Sequence, residues 1–512
     1  MSETEPAASE VTSRRLLRNT VVNGLANVSG ALVTAVLTPF LLHRLGTQEY
    51  GVWLLALGVT FSSGYLSLAD IGLTEATVKF IAEARAVGSI RTVNEIASTT
   101  IAAFAAVGVV VGGGMALLAP ILVGLFDVQP GLVDTARVVF ALMALEVVIA
   151  LPAAALRAVV EGAQDYTRLR AIDIASSVLF GVAVIAAVSD GHGVVAMAMI
   201  SLVVAGLRAV AALVVAHRAQ VGLELRPGFV SWQRLRTSSS YGSYVGGLRL
   251  LGVVYGQMDR FIIGIAVAVS AVATYEVAYR MQSIAILVLT MASSAVLPAA
   301  AYNAARADTD KQRELYLRGT KYTFALVLPV TIAAFLYAEP LIRVWVGSHY
   351  VSMTTPTRLF LIFPAFACAN QVGVSMLVGL GRVRRVLLYQ FVAVALNLVV
   401  SLALAPSLGI RGVIIGTLVG GLSTWYPYLR LLLGTFETDL RAWTRRCVRP
   451  SIPGAAAQVA LGLLSLRWAA HLDRLWQVLL LCGASCGLNL GLFVFAGLER
   501  PERRHLIERF VS

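Results

Sequence analysis

The sequence predicts an all-α polytopic membrane protein with about 14 transmembrane helices, laid out as two six-helix lobes around a central cavity plus a C-terminal helix pair. Three observations carry this expectation. Of 512 residues, 58% are hydrophobic and 13% charged, whereas soluble domains average roughly 45–50% apolar and about 25% charged. The apolar residues fall in runs of the ~20 residues that a helix needs to cross the hydrocarbon core. The basic residues fall between these runs rather than in one patch.

Taken in order, residues 1–17 read as a cytoplasmic tail. Its first ten residues are acidic and polar, the wrong sign for a secretory signal, and the apolar run after Arg18 continues to Leu42, too long for a signal peptide. Hydropathy then places spans at 18–42, 51–74, 93–123, 131–156, 171–188 and 194–216, the first lobe (18–216). A cytoplasmic linker, 217–240, separates it from spans at 241–266, 274–302, 317–338, 355–380, 386–405 and 410–433, the second lobe (241–433). A basic cytoplasmic loop (434–449) leads to spans 450–470 and 475–497, and residues 498–512 form a second cytoplasmic tail.

Orientation follows from Lys and Arg, which collect on the cytoplasmic side. With the N-terminus inside, the odd-numbered connections and their flanks hold Arg44, Arg137, Arg343, Arg358, Arg411, Arg467 and Arg474. Arg249, Arg260 and Arg280 fall inside spans seven and eight, and the other basic residues lie toward the cytoplasm. Both termini are therefore expected inside. The net charge of +13 then belongs to a collar facing an anionic inner leaflet, which argues against nucleic-acid binding.

The layout suggests duplication. Pro39-Phe40-Leu41-Leu42 followed by Tyr50-Gly51-Val52-Trp53 echoes Arg260-Phe261-Ile262-Ile263 followed by Tyr275-Glu276-Val277-Ala278. Repeat-built transporters place a cavity between such halves. Pro39, Pro152, Pro298, Pro329 and Pro364 interrupt spans as kinks that membrane helices tolerate.

Ionisable groups inside spans are costly and usually face the bundle interior. Arg249, Arg260 and Arg280 are the candidate substrate-binding residues, because guanidinium groups suit phosphate or pyrophosphate oxygens. The alternative is that Arg260 pairs with Glu276 and Arg280 sits at the interface. Glu146, midway through span four, has no basic neighbour in sequence; it is read as a proton or Na⁺ carrier, as a partner of Arg249, or as a carboxyl that simply stays protonated. Asp70, in Ser67-Leu68-Ala69-Asp70-Ile71-Gly72-Leu73, is read as a gate, a helix–helix hydrogen bond or a coupling group. Asp259 and Glu276 complete the candidate coupling or gating set.

Several chemistries are excluded. Only Lys79, Lys311 and Lys321 are present and none follows glycine, so there is no phosphate-binding Walker loop, and H-E-x-x-H is absent. Cys368, Cys447, Cys482 and Cys486 have no His or Cys at metal-ligand spacing, and the i, i+4 pair Cys482/Cys486 reads as packing. Short connections leave no room for an extramembrane catalytic domain. No enzyme activity, metal or cofactor is expected beyond a coupling ion, H⁺ or Na⁺. A membrane-embedded glycan polymerase or ligase is the alternative of another class, and a non-transporting scaffold is a further one.

The stretch Arg18 to Leu42, the turn Leu45-Gly46-Thr47-Gln48-Glu49-Tyr50-Gly51-Val52-Trp53, and Leu68 to Leu73 resemble the first two helices of bacterial polysaccharide exporters of the Wzx-type flippase family. Gln257-Met258-Asp259-Arg260-Phe261-Ile262-Ile263-Gly264 followed by Tyr275-Glu276-Val277-Ala278-Tyr279-Arg280 resembles them as well. The resemblance covers most of spans one to twelve. It implies the multidrug, oligosaccharidyl-lipid and polysaccharide exporter fold in a bacterial inner membrane. It further implies transport of an undecaprenyl-pyrophosphate-linked oligosaccharide from the inner to the outer leaflet by alternating access, for cell-surface polysaccharide, driven by an ion gradient or membrane potential. Glycan polymerase and glycosyltransferases are the implied protein partners. A lipid II flippase or a small-molecule drug exporter shares the same fold. One departure is that the first lobe lacks mid-depth cations apart from Arg208 on span six, so Glu146 and Asp70 are expected to give it a negative character.

Overall fold

A chain this apolar satisfies its backbone only within helices once it leaves water, and the computed structural model contains no strand among the described residues. Described are residues 24, 28–60, 64–70, 72–126, 128–294, 296, 308–500 and 502–503, without the side chains of 239–246, 248 and 294. The sequence-predicted tail 1–17, the first residues of span one, the end of span eight with Pro298, and most of the tail 498–512 lie outside them.

The helices run in order. Those of the first part are α1 (Val28–Arg44), α2 (Gly46–Val59), α3 (Leu73–Ala86), α4 (Ile90–Leu125), α5 (Val133–Gly162), α6 (Tyr166–Ser189), α7 (Val194–Ala219) and α8 (Trp232–Ala266). They continue as α9 (Val269–Ser294), α10 (Thr309–Leu336), α11 (Ala338–Trp345), α12 (Thr354–Ala367), α13 (Gln371–Gly379), α14 (Val383–Leu408), α15 (Ile410–Ser423), α16 (Trp425–Thr435), α17 (Ile452–Ala469) and α18 (Leu475–Leu492). Among the described residues, seven helices are long and apolar enough to cross a membrane alone, and the pair Ser348–Ala367 and Gln371–Gly379, bent by 49°, makes an eighth candidate. The other predicted spans coincide with helices that are shorter, broken or carry charge, consistent with 14 crossings.

Polar side chains set the helix starts. Ser89, Asp165, Ser231 and Asp308 each accept a backbone N–H from the first turn of α4, α6, α8 and α10, which satisfies donors that a helix leaves open at its N-terminus. At the opposite end of the first unit, Glu49 accepts the Val194 N–H of α7 at 3.1 Å.

The chain forms two compact units, Met1–Ala273 and Thr274–Ser512. Span seven, expected to open the second lobe, packs in the first unit instead. The reason is close fit: Phe261 of α8 lies 4.9 Å from the Tyr65 ring and 5.8 Å from Phe126. A Cβ on Gly51 of α2 would collide with the Val269 carbonyl. The 217–240 linker is laced along α4 within the same unit. Asn94 donates to Gly222 O and accepts from Glu224 N, both at 3.1 Å. Ser98 and Thr99 accept from Arg226 N and Ser231 N, and Arg234 pairs with Glu95 at 3.2 Å.

In the second unit, glycines at every fourth position, Gly412, Gly416 and Gly420, let α15 touch the backbone of α14, the small-residue packing that membrane helices favour. A Cβ on Gly420 would meet the Ala393 carbonyl, which has nowhere to move. Gly420→Val is expected to cost about 2–3 kcal/mol, read as a lowered unfolding midpoint in detergent, with exposed Gly434→Ala as the near-neutral control.

Of the predicted proline kinks, Pro364 lies beside the 49° bend, while Pro152 and Pro329 lie within continuous α5 and α10. The Pro329 carbonyl accepts from Gln458 on α17 at 2.9 Å and from the Cys486 thiol on α18 at 3.4 Å. Gln458 also accepts from Asn489 at 2.6 Å. The C-terminal pair is thus hydrogen-bonded to span nine.

After α18 the chain returns to α10, where Glu502 accepts from Lys321 at 2.6 Å. Burial alone would raise the Glu502 carboxyl, but the Lys321 ammonium and the Glu499 backbone N–H hold it below its ordinary 4.5. A carboxyl depressed on folding stabilises the docked state above its unfolded pKa, and the contribution is lost as pH falls through the lower folded value. Proteolytic clipping after Gly497 is therefore expected to stay slow at pH 5 and accelerate below about pH 4. Lys321→Met should make clipping fast already at pH 7.

Candidate ionic site on the broken second span

Span two, expected as one helix over 51–74, is broken. After α2 the chain forms a 3-10 segment, Tyr65–Asp70, and restarts as α3 behind Gly72, whose φ of 74° suits glycine. The break leaves Asp70 at the mouth of α3, where its Oδ1 accepts the Thr74 N–H at 2.8 Å and the helix N-terminus favours negative charge.

Across from it, α8 brings in Arg249. Its Nη1 donates to Asp70 Oδ2 and to Glu75 Oε1, the latter at 3.4 Å. Asp70 is 1% exposed and Arg249 32%, so the carboxylate is sealed while the guanidinium keeps an open side. A broken helix presenting backbone and charge to a site inside the membrane is how transporters build binding sites without stranding polar groups in lipid. The structure therefore joins Asp70 and Arg249, which the sequence offers as separate candidates, and adds Glu75.

Glu146 meets another partner than Arg249. It is buried on α5 and accepts the Ser201 hydroxyl of α7 at 2.7 Å, with Arg208 close enough to act on it electrostatically. Arg260, buried on α8, donates to Gln257 Oε1 at 2.6 Å. The adjacent Asp259 is buried, and its charge acts on the Tyr65 and Tyr255 hydroxyls. In the second unit, Glu276 is fully buried and accepts from Arg280 at 2.6 Å within α9, and Arg280 lies 5.9 Å from the Tyr279 ring centre.

The expected negative character of the first lobe is corrected on two counts. Asp70 is matched by Arg249, because span seven packs in that unit. In addition, Arg157, Arg170 and Arg208 converge on Asp173 at 2.9–3.1 Å. By sequence, Arg157 and Arg170 belong with the cytoplasmic collar and Asp173 carries no expectation; the structure brings the three together. The available signal was an aspartate inside an apolar span, three residues after an arginine. Among the described residues, no group of three or more His, Cys, Asp or Glu side chains is placed to hold a metal ion.

Comparison with known proteins now assigns the chain. The polysaccharide biosynthesis protein family matches residues 41–355. No curated protein sequence matches significantly. Among solved structures, the lipid II flippase MurJ in an inward closed conformation aligns over 96% of this chain and 100% of its own, with TM-score 0.72 and 10% identity. An inward-facing multidrug resistance MATE family transporter of the MOP superfamily covers 81% of this chain and 94% of its own, at TM-score 0.65 and 16% identity. An outward-facing transporter of that kind covers 83% and 95%, at TM-score 0.59 and 16% identity. Matched by the family over more than half its length, this multi-pass membrane protein belongs to the polysaccharide biosynthesis protein family and has the fold of MOP-superfamily transporters and flippases.

Proposed function

We propose that the protein moves an undecaprenyl-pyrophosphate-linked oligosaccharide from the inner to the outer leaflet of a bacterial cytoplasmic membrane, by alternating access and without bond chemistry. Both termini are placed in the cytoplasm by the basic-residue bias. The observation that carries the reading is Arg249, half-open and held on broken span two by Asp70 and Glu75. Buried Asp70 and the more open Glu75 compete with an anionic ligand for one guanidinium. Substrate pyrophosphate therefore exchanges with Asp70 and Glu75, and that exchange frees span two to move against α8. Within the first unit Arg260 is offered for anion binding and Asp259 for gating; within the second, Arg280 and Glu276 are offered for the same roles. Glu146 is the group offered for coupling to H⁺ or Na⁺, since Ser201 presents a hydroxyl that can follow its protonation.

The lipid II reading is favoured by the alignment along nearly the whole length of both chains. A drug exporter for cations would favour unpaired cavity acids, whereas Asp70 is committed to Arg249. The deciding experiment removes the protein from cells that lack a redundant flippase and locates the lipid-linked oligosaccharide by leaflet. Retention in the inner leaflet, relieved by the wild type but not by Arg249→Gln or Glu146→Gln, is expected. Unchanged outer-leaflet delivery without the protein overturns the proposal, and accumulation of lipid II alone transfers it to the second reading.

A further inference from the structure

Arg249 places one nitrogen where two carboxylate oxygens converge. Asp70 Oδ2, at the end of the 3-10 segment, and Glu75 Oε1, in the first turn of α3, both accept from its Nη1. Asp70 is sealed, whereas Glu75 is 41% and Arg249 32% exposed. The point of convergence is therefore reached from the side of Glu75 and Arg249.

More oxygen surrounds this point than Arg249 uses. Ser67 Oγ, Thr74 Oγ1 and Glu75 Oε2 are buried and, among the described residues, have no hydrogen-bond partner. Ser67 is 3% exposed and stands three residues before Asp70 in the 3-10 segment, where side chains at i and i+3 lie one above the other. Thr74 is tied to Asp70 through its backbone N–H at 2.8 Å. Buried polar atoms are normally paired. Three orphaned oxygens beside two carboxylates make the kind of donor set that hard cations take.

The ligand proposed above creates the need for such a cation. A pyrophosphate that takes Arg249 removes the donor shared by Asp70 and Glu75 and sets its own negative oxygens beside them. Glu161 of α5 adds to this field, since its charge and that of Glu75 act on each other. Lys79, one turn beyond Glu75 on α3, pairs with Glu83 at 3.8 Å. Like charges a few ångströms apart repel strongly where water is scarce. A proton relieves the charge of one carboxylate, whereas a divalent cation joins carboxylates and phosphates at once.

We propose that Mg²⁺ enters with the pyrophosphate and is held at the break in span two by Asp70 and Glu75, with the Ser67 and Thr74 hydroxyls as further oxygen donors. The ion bridges these residues to the phosphate oxygens while Arg249 binds the pyrophosphate directly. Two carboxylates are too few to keep Mg²⁺ by themselves, but this ion is usually bound by one or two carboxylates together with substrate phosphates and water. Every donor offered is oxygen, the ligand type that suits Mg²⁺. The ion travels as part of the ligand and is not a resident cofactor. The inference deepens the transport reading and rests on it for the identity of the anion.

The test uses the full-length protein in detergent and measures binding of radiolabelled undecaprenyl pyrophosphate in Mg²⁺ and in EDTA. The wild type is expected to bind about tenfold more tightly in Mg²⁺. Glu75→Gln keeps the Asp70–Arg249 pair. In EDTA it should bind more tightly than the wild type, because a competitor for Arg249 is gone, yet it should gain nothing from Mg²⁺. Ser67→Ala should lose about threefold of the Mg²⁺ gain, and Glu83→Gln, exposed on α3, should behave as the wild type. A Mg²⁺ gain as large in Glu75→Gln as in the wild type overturns the proposal and places the ion on the ligand alone. An equal gain from Na⁺ in EDTA also overturns it, in favour of a monovalent ion. Wild-type binding that ignores Mg²⁺ overturns this inference and leaves the transport reading standing, whereas no binding of the pyrophosphate in either buffer overturns both.

Discussion

Arg249→Ala is expected to destabilise the first unit by about 3 kcal/mol and to abolish transport. Removing one partner of a buried ion pair strands the other charge, at a usual cost of about 3–5 kcal/mol. The low end applies because Arg249 is one-third exposed and Thr74 N–H continues to hold Asp70. The informative variant is the neutral pair Asp70→Asn with Arg249→Gln, which keeps shape and hydrogen bonding without charge. It should recover most of the stability, read as an unfolding midpoint close to wild type, yet remain inactive in flipping. Recovery of both properties would reduce the pair to a structural staple. Loss of stability in the neutral pair would mean that charge, rather than the stranding of Asp70, holds span two to α8.

Asp173→Ala is expected to cost about 4 kcal/mol, because three guanidiniums lose the carboxylate that gathers them while remaining close together. The signature is a change of sign. In the wild type, Arg208→Gln should lower the unfolding midpoint slightly. In the Asp173→Ala background the same change should raise it, since it removes repulsion. A double-mutant cycle measures this coupling. Additive effects would show that the arginines do not share a field. Asp173→Asn should fall between, retaining hydrogen-bond acceptors on one side only.

Both residues show where sequence reading stops. Helix positions were legible because about 20 apolar residues between charged caps leave the chain few other choices. The caps Ser89, Asp165, Ser231 and Asp308 fix the helix starts only in the structure. Arg249, Asp70 and Glu146 stood out because a charge inside an apolar run is costly wherever it points. Their partners were not legible. Arg249 and Asp70 are 179 positions apart, and nothing in either neighbourhood specifies the other. Arg157 and Arg170 were missed because helix ends rich in arginine look the same whether they face headgroups or close on a buried aspartate. The break in span two was hidden for a related reason: hydropathy averages over Tyr65–Asp70 and Gly72, whose effect is a backbone angle.

The sequence alone determined the class of molecule: a helical, multi-pass chain with basic residues gathered between its apolar runs and a handful of charges inside them. Those properties depend on composition and local order, which hydrophobic transfer and helix geometry convert directly into structure. The tertiary structure alone decided which charges meet. It placed span seven against the broken second helix, matching Asp70 with Arg249. It also drew α5, α6 and α7 together so that three arginines surround Asp173. Ionic pairing acts over a few ångströms in space and carries no signature along the chain, so it is settled by packing.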